Sequence, residues 1–172
     1  DAYKKLYAAV KGKDVEAIKL QLTKKTIEFG KMAGEKNKNP DIYINGLGED
    51  GGCDEGPSYW FAAGGSVFDT LETLKSATNG RVDIYKEPII RKMASYIYKM
   101  YIVDNYFVNF SDADPTVSAD GVMLYRFGKA VGDETLTGFG TYMYARDPRS
   151  RGEGFQRPRR LSNLLALKEM PA

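Results

Sequence analysis

Apolar positions along this chain recur with a helical period in most stretches, and glycine-rich or proline-rich breaks separate those stretches. Tyr3, Leu6, Tyr7 and Val10 fall at i, i+3, i+4 and i+7, which predicts a short helix ending near Gly12. Asp14 is placed to cap a second helix, with Val15, Ile18, Leu22 and Phe29 on one face and lysines at 19, 24, 25 and 31 on the others. An exposed connection, Gly34 to Pro40, follows.

From Pro57 to Thr78 the pattern predicts a long helix. Trp60, Gly64, Val67, Leu71 and Leu74 make one stripe, and Phe61, Ala62 and Phe68 make its first half apolar nearly all round. Asn79-Gly80 should end it in the left-handed conformation. The Gly64-Gly65 pair costs roughly 1 kcal/mol each relative to alanine, a cost tolerated where a neighbouring helix or a ligand comes close. Close helix packing is the simpler expectation.

After a link at 81 to 86, Glu87-Pro88 opens a helix on which Ile89, Met93, Tyr96, Ile97 and Met100 lie together. Residues 104 to 110 alternate polar and apolar with period two and are predicted to be extended. Ser118 is expected to cap a helix over 119 to 131, and Asp133 one over 134 to 145 with Leu136, Phe139 and Met143 on its face. A last helix, Leu161 to Met170, carries leucines at 161, 164, 165 and 167 and is expected to dock on the body through them. Strands are nearly absent, so the predicted class is all-α.

Composition narrows the chemistry. At 172 residues, 42% hydrophobic and 28% charged, the chain can bury one sizeable core. A net charge of +2 makes no demand for nucleic acid or membrane. The chain has one cysteine and no histidine, which removes a disulfide framework, Ser-His-Asp and Cys-His triads, and most zinc sites. Asp112, Asp114, Thr116, Ser118 and Asp120 alternate as in a calcium loop, but Val117 and Met123 stand where such a loop needs glycine and glutamate. No metal or cofactor is expected. Residues 146 to 160 hold six arginines and read either as a solvated linker or as a guide for an anionic chain.

The stretch around which the rest is organised is Gly48-Glu49-Asp50-Gly51-Gly52-Cys53-Asp54-Glu55-Gly56-Pro57-Ser58-Tyr59-Trp60. Its four glycines allow positive φ and close approach to a ligand, and Pro57 suits a first helical turn. It delivers one carboxylate, Glu55, and an aromatic pair to a helix N-terminus. The plainer account is a tight turn with acids placed to suit the helix dipole. Cys53 reads as a small residue in that turn rather than a reactive thiol.

This segment, continued through Phe61 to Gly80 and on to Arg81–Asp114 and Val122–Leu136, resembles the heparinase II/III-like family of polysaccharide lyases, over residues 46 to about 145. The resemblance implies an incomplete (α/α) toroid of antiparallel helices over 1–145; beyond it, the residue pattern itself reads as an Arg-rich linker or loop at 146–160 and a C-terminal helix at 161–172 docking on the body. It also implies a periplasmic or secreted setting and a β-sandwich domain in the remainder of a parent chain, of which this sequence is expected to be an excised piece. The implied activity is β-elimination on a uronic-acid-containing, acidic polysaccharide.

On that reading Tyr106, 51 residues after Glu55, matches the catalytic tyrosine, and Glu55, Tyr59, Trp60, Asn109 and Arg126 are the substrate-binding candidates. A free phenol titrates near ~10, so Tyr106 needs nearby positive charge to act as a base, and Arg126 is one source. The chain departs from the family pattern at the loop position that carries histidine or asparagine in relatives: here stand Gly52 and Cys53. The isolated chain is therefore expected to show little or no activity. Two other readings stay open, a non-catalytic carbohydrate-binding or scaffold domain and a hydrolase using Glu55 with Asp54 or Asp112.

Overall fold

The computed structural model describes residues 8, 12, 17, 48, 50–148 and 157–171. Ala8, Gly12 and Ala17 are helical. The remainder of the two expected N-terminal helices, and the connection after them, lie outside the described residues.

Among the described residues the chain is mostly helical, with α1 at Pro57–Ala77, α2 at Pro88–Lys99, α3 at Gly121–Val131, α4 at Glu134–Arg146 and α5 at Arg157–Ala166. A small antiparallel hairpin, β1 at Tyr101–Val103 and β2 at Tyr106–Phe107, follows α2. Its second strand falls within residues 104 to 110, where the period-two alternation predicts extended chain, while β1 lies before that segment. Asp104 turns it with φ 53°. Residues 115 to 117 run alongside, with Phe107 N donating to Pro115 O at 3.0 Å and Val117 N to Asn105 O at 2.8 Å.

Local chemistry sets the helix ends. Pro57 opens α1, its missing N–H being one that a first turn would leave unpaired anyway. Past Thr78 the chain closes as the turn sequence predicts: Asn79 takes φ 50°, Asn79 N donates to Ser76 O at 3.1 Å, and Gly80 N reaches back to Lys75 O at 2.8 Å. Those are the paired bonds of a Schellman cap. Asp133 caps α4 by accepting from Leu136 N at 2.9 Å, again as expected. The cap of α3 is Asp120, which accepts from Met123 N at 3.0 Å, and not Ser118. Either oxygen can serve an N-terminal amide, and tertiary structure selects Asp120 because its carboxylate also receives Asn163 Nδ2 at 2.9 Å.

The core gathers one face from each of α1 to α4 around an aromatic stack. Trp60, fully buried, lies 6.2 Å from Phe127 at 16° and meets Phe61 edge-on; Phe68 stacks on the same Phe127 at 4.7 Å. Ile90, Met93, Tyr96 and Ile97 of α2, Leu136 and Met143 of α4, and Phe107 of the hairpin complete it. Ile89, expected on the buried stripe, is 42% exposed; Ile90 takes its place.

Helices α3 and α4 meet backbone to backbone. A Cβ on Gly121 would stand 2.4 Å from Tyr144 N, one on Gly128 2.5 Å from Thr137 N, and one on Gly140 2.3 Å from Tyr125 N. Gly64-Gly65 serve a different purpose from the expected helix crossing. The Trp60 indole folds over Gly64, and the Arg159 guanidinium of α5 sits on Gly65, 2.4 Å from where a Cβ would be.

The attachment of α5 also departs from expectation. It spans Arg157–Ala166 and not Leu161–Met170, and Leu161, Leu164 and Leu165 are each more than 60% exposed. Polar groups attach it instead. Arg159 donates to Asp69 at 2.9 Å and to Phe61 O at 3.3 Å, and Asn163 bridges Asp120 and Arg126.

A pair of substitutions tests the glycine contact. Gly140→Ala should destabilise the fold by about 1–3 kcal/mol, because the methyl must displace the α3 backbone. Gly138→Ala, with nothing within 4 Å, should stabilise it by up to about 1 kcal/mol through helix propensity. Urea unfolding of the two variants should give shifts of opposite sign.

Candidate functional site

The Asp-Gly loop folds back on itself before it reaches α1. Gly48 N donates to Gly52 O at 2.7 Å, Gly51 N to Gly48 O at 2.8 Å, and the Asp50 carboxylate accepts from Gly52 N at 2.9 Å. Gly51 and Gly56 both adopt φ 85°, the left-handed region the sequence provides for. What they approach is protein rather than ligand. A Cβ on Gly51 would lie 2.3 Å from the Lys92–Met93 peptide of α2, and one on Gly56 2.5 Å from Ala113 Cβ. Tyr96 Oη of α2 adds a bond to Cys53 O at 3.2 Å.

This arrangement brings the loop against the chain that follows the hairpin. Ser58 Oγ accepts from Asp114 N at 3.3 Å, and Asn109 Nδ2 closes the 109–113 turn on Ala113 O at 3.1 Å. Asp54 and Glu55 are exposed beside it. Burial, and then the Asp50 charge, raise the Asp54 carboxyl above its ordinary value. Tyr59, Tyr106, Val108 and Phe110 are each 40% exposed or more, so this rim is unusually aromatic for open surface.

The candidate residues separate into four places. Glu55 and Tyr59 stand at the loop, and Tyr106 and Asn109 on the hairpin and the turn after it. Trp60, paired with Tyr59 in the sequence reading, is instead a core residue: it is fully buried and its indole N–H donates to Met93 O at 3.1 Å. Helical geometry explains the separation, since adjacent residues lie about 100° apart around the axis. Arg126 is 7% exposed, bonded to Glu72 and, at 2.6 Å, to Asn163 Oδ1, with its guanidinium 5.0 Å from the Phe68 ring. It faces these groups rather than supplying charge to Tyr106. It also lines a cavity of about 640 Å³ between α1, α3 and α5, with Glu72, Tyr125, Lys129 and Ser162, that contains none of the other candidates.

A scan of protein-family models and a search of curated proteins find no match to the chain.

Sequence reasoning missed a second polar group near the hairpin. Tyr142 and Arg146, one turn apart on α4, meet Tyr101 of β1 and Asp104 of the hairpin turn. The i, i+4 spacing of Tyr142 and Arg146 was visible in the sequence; that the hairpin would fold onto it was not.

Cys53 is buried, and that burial pushes its thiol up to about 11. In the native protein it should resist alkylation at neutral pH and react fully once unfolded, which mass spectrometry of pulse-labelled samples will show. A thiol whose pKa is raised on folding favours the folded state below its ordinary value of 9.0, and that contribution disappears as pH climbs through about 11. Cys53→Ala should therefore flatten the loss of stability across that alkaline window.

Proposed function

We propose that the chain is part of the (α/α) toroid of a polysaccharide lyase that cleaves uronic-acid-containing polysaccharides by β-elimination. The observation that carries the reading is the rim, where the tightly folded Asp-Gly loop packs on the 110–114 turn and leaves Glu55, Tyr59 and Phe110 exposed, with Tyr106 exposed on the hairpin that leads into that turn. A mostly helical body with one open aromatic and acidic edge suits an extended sugar chain, whose faces stack on rings and whose hydroxyls bond carboxylates and amides.

The reaction needs a base for the proton α to the uronate carboxylate, positive or hydrogen-bonding groups to neutralise that carboxylate, and an acid for the leaving oxygen. In this proposal Tyr106 is the acid or base, with its phenol open to substrate, and Glu55, Tyr59 and Asn109 orient the sugar. The remaining groups come from the rest of a parent chain, in a periplasmic or secreted setting. The second reading, a carbohydrate-binding or scaffold domain, gains from the absence of histidine and from the engagement of Arg126 by Glu72 and Asn163.

The test is ultraviolet absorbance of the unsaturated uronate product from heparan-type and alginate-type chains. The full-length protein should release it, this chain alone little or none, and Tyr106→Phe in the full-length protein should slow it about 10²-fold or more with the fold unchanged. Sugar binding without product from the full-length protein favours the scaffold reading. A Tyr106→Phe variant as fast as wild type removes Tyr106 from the chemistry.

A further inference from the structure

The Tyr142 phenol is surrounded by groups suited to stabilising negative charge. Its oxygen lies 3.1 Å from Tyr101 Oη and 3.3 Å from Arg146 Nη1. Arg146 can only donate. When Tyr142 is ionised Tyr101 must donate as well, so the phenolate receives two hydrogen bonds, one of them from a cation. Both partners are held in place. The Tyr101 ring packs edge-on against Phe107 at 5.4 Å and Phe139 at 5.1 Å, and Arg146 Nη2 is tied to Asp104 Oδ1 at 2.6 Å. Tyr142 itself stays 44% exposed. Among the described residues no side chain meets the Tyr106 hydroxyl in this way.

We propose that Tyr142, prepared by Tyr101 and Arg146, is a proton-transferring residue for an acidic sugar chain at the hairpin edge; the proposal rests on the lyase reading above. The groups facing Tyr142 are Tyr101 of β1, Asp104 of the hairpin turn and Arg146 of its own helix. The Tyr101 hydrogen bond first, then Arg146, hold the Tyr142 phenol below its ordinary value, with Asp104 opposing. Burial and the same shared hydrogen bond hold Tyr101 above its own, so Tyr101 keeps its proton while Tyr142 gives its up.

In the step itself, the phenolate oxygen takes the proton on the carbon next to the uronate carboxylate. The freed electron pair forms the carbon–carbon double bond as the bond to the glycosidic oxygen breaks. That oxygen takes its proton from Tyr106, the acid of the reading above, which regains one from solvent as Tyr142 gives its own back. One saturated sugar becomes one unsaturated end and one new hydroxyl, with no water, oxidant or metal consumed.

The experiment has a spectroscopic arm and a kinetic arm, both on the full-length protein. In a pH titration followed by phenolate difference absorbance, the wild type should show one tyrosine ionising ahead of the rest. Tyr142→Phe should lose that step, Arg146→Gln should move it to higher pH, and Tyr106→Phe should leave it in place. Loss of the early step in Tyr106→Phe, or its persistence in Tyr142→Phe, overturns the proposal.

In the kinetic arm Tyr142→Phe should slow release of unsaturated product by about 10²-fold or more, and Arg146→Gln should shift the basic limb of the rate profile to higher pH. A Tyr142→Phe enzyme with wild-type rate and pH profile overturns the assignment while leaving the lyase reading intact. If the wild type releases no product, the lyase reading fails, and the titration still decides whether Tyr142 is the activated phenol.

Discussion

The contact on which most of the described structure depends is the backbone-to-backbone approach of α3 and α4 at Gly121, Gly128 and Gly140. Side chains of ordinary size would hold these helices farther apart, at the 8–10 Å typical of packed pairs, and every neighbour would shift outward. The close approach seats Leu136 and Met143 against the same core that holds Phe127, so the stack of Trp60, Phe68 and Phe127 stays free of water. It also sets how far α4 leans toward the hairpin, and hence whether Tyr142 can reach Tyr101. Each glycine costs helix propensity, and the packing gained along two whole helices outweighs it.

Features decided within a few residues were legible in the sequence. Pro57 at a helix start, Asn79-Gly80 as a left-handed stop and Asp133 as a cap all need only nearby backbone groups, and all three stand where the chain predicts them. The second strand of the hairpin was visible from its period for the same reason, the first was not. Features decided by partners far along the chain were not. Nothing near Gly65 announces that Arg159 will lie on it, and nothing near Ser118 and Asp120 tells which will cap, since Asn163 makes the choice. Helical periodicity correctly predicted a helix near the C-terminus but misjudged its attachment, because a leucine stripe describes what a face would bury only if a neighbour is there to cover it.

The rim illustrates the same division between sequence and structure. Two of its glycines take the conformation that the sequence allows, but their close contacts are with α2 and Ala113, so the loop is a rigid support for the residues beside it. Glu55 and Tyr59 are presented by that support, while Trp60, the next residue, belongs to the interior. Arg126 likewise belongs to the polar tie between α1, α3 and α5.

That polar tie has a thermodynamic consequence for α5. A helix held by apolar burial exposes much hydrocarbon when it lifts off, so its opening grows steeply easier in urea. Helix α5 is held by Arg159 and Asn163, with Leu161, Leu164 and Leu165 already in water. Its release wets carboxylates, an amide and a guanidinium and gains no new exposure from those three leucines. The free energy of that local opening should therefore fall less steeply in urea than it would for a helix docked through its leucines, a slope set by surface exposed and not by the number of bonds broken. It responds instead to whatever competes for Asp69 and Asp120, dissolved guanidinium above all, so the two common denaturants should act on this helix in different ways.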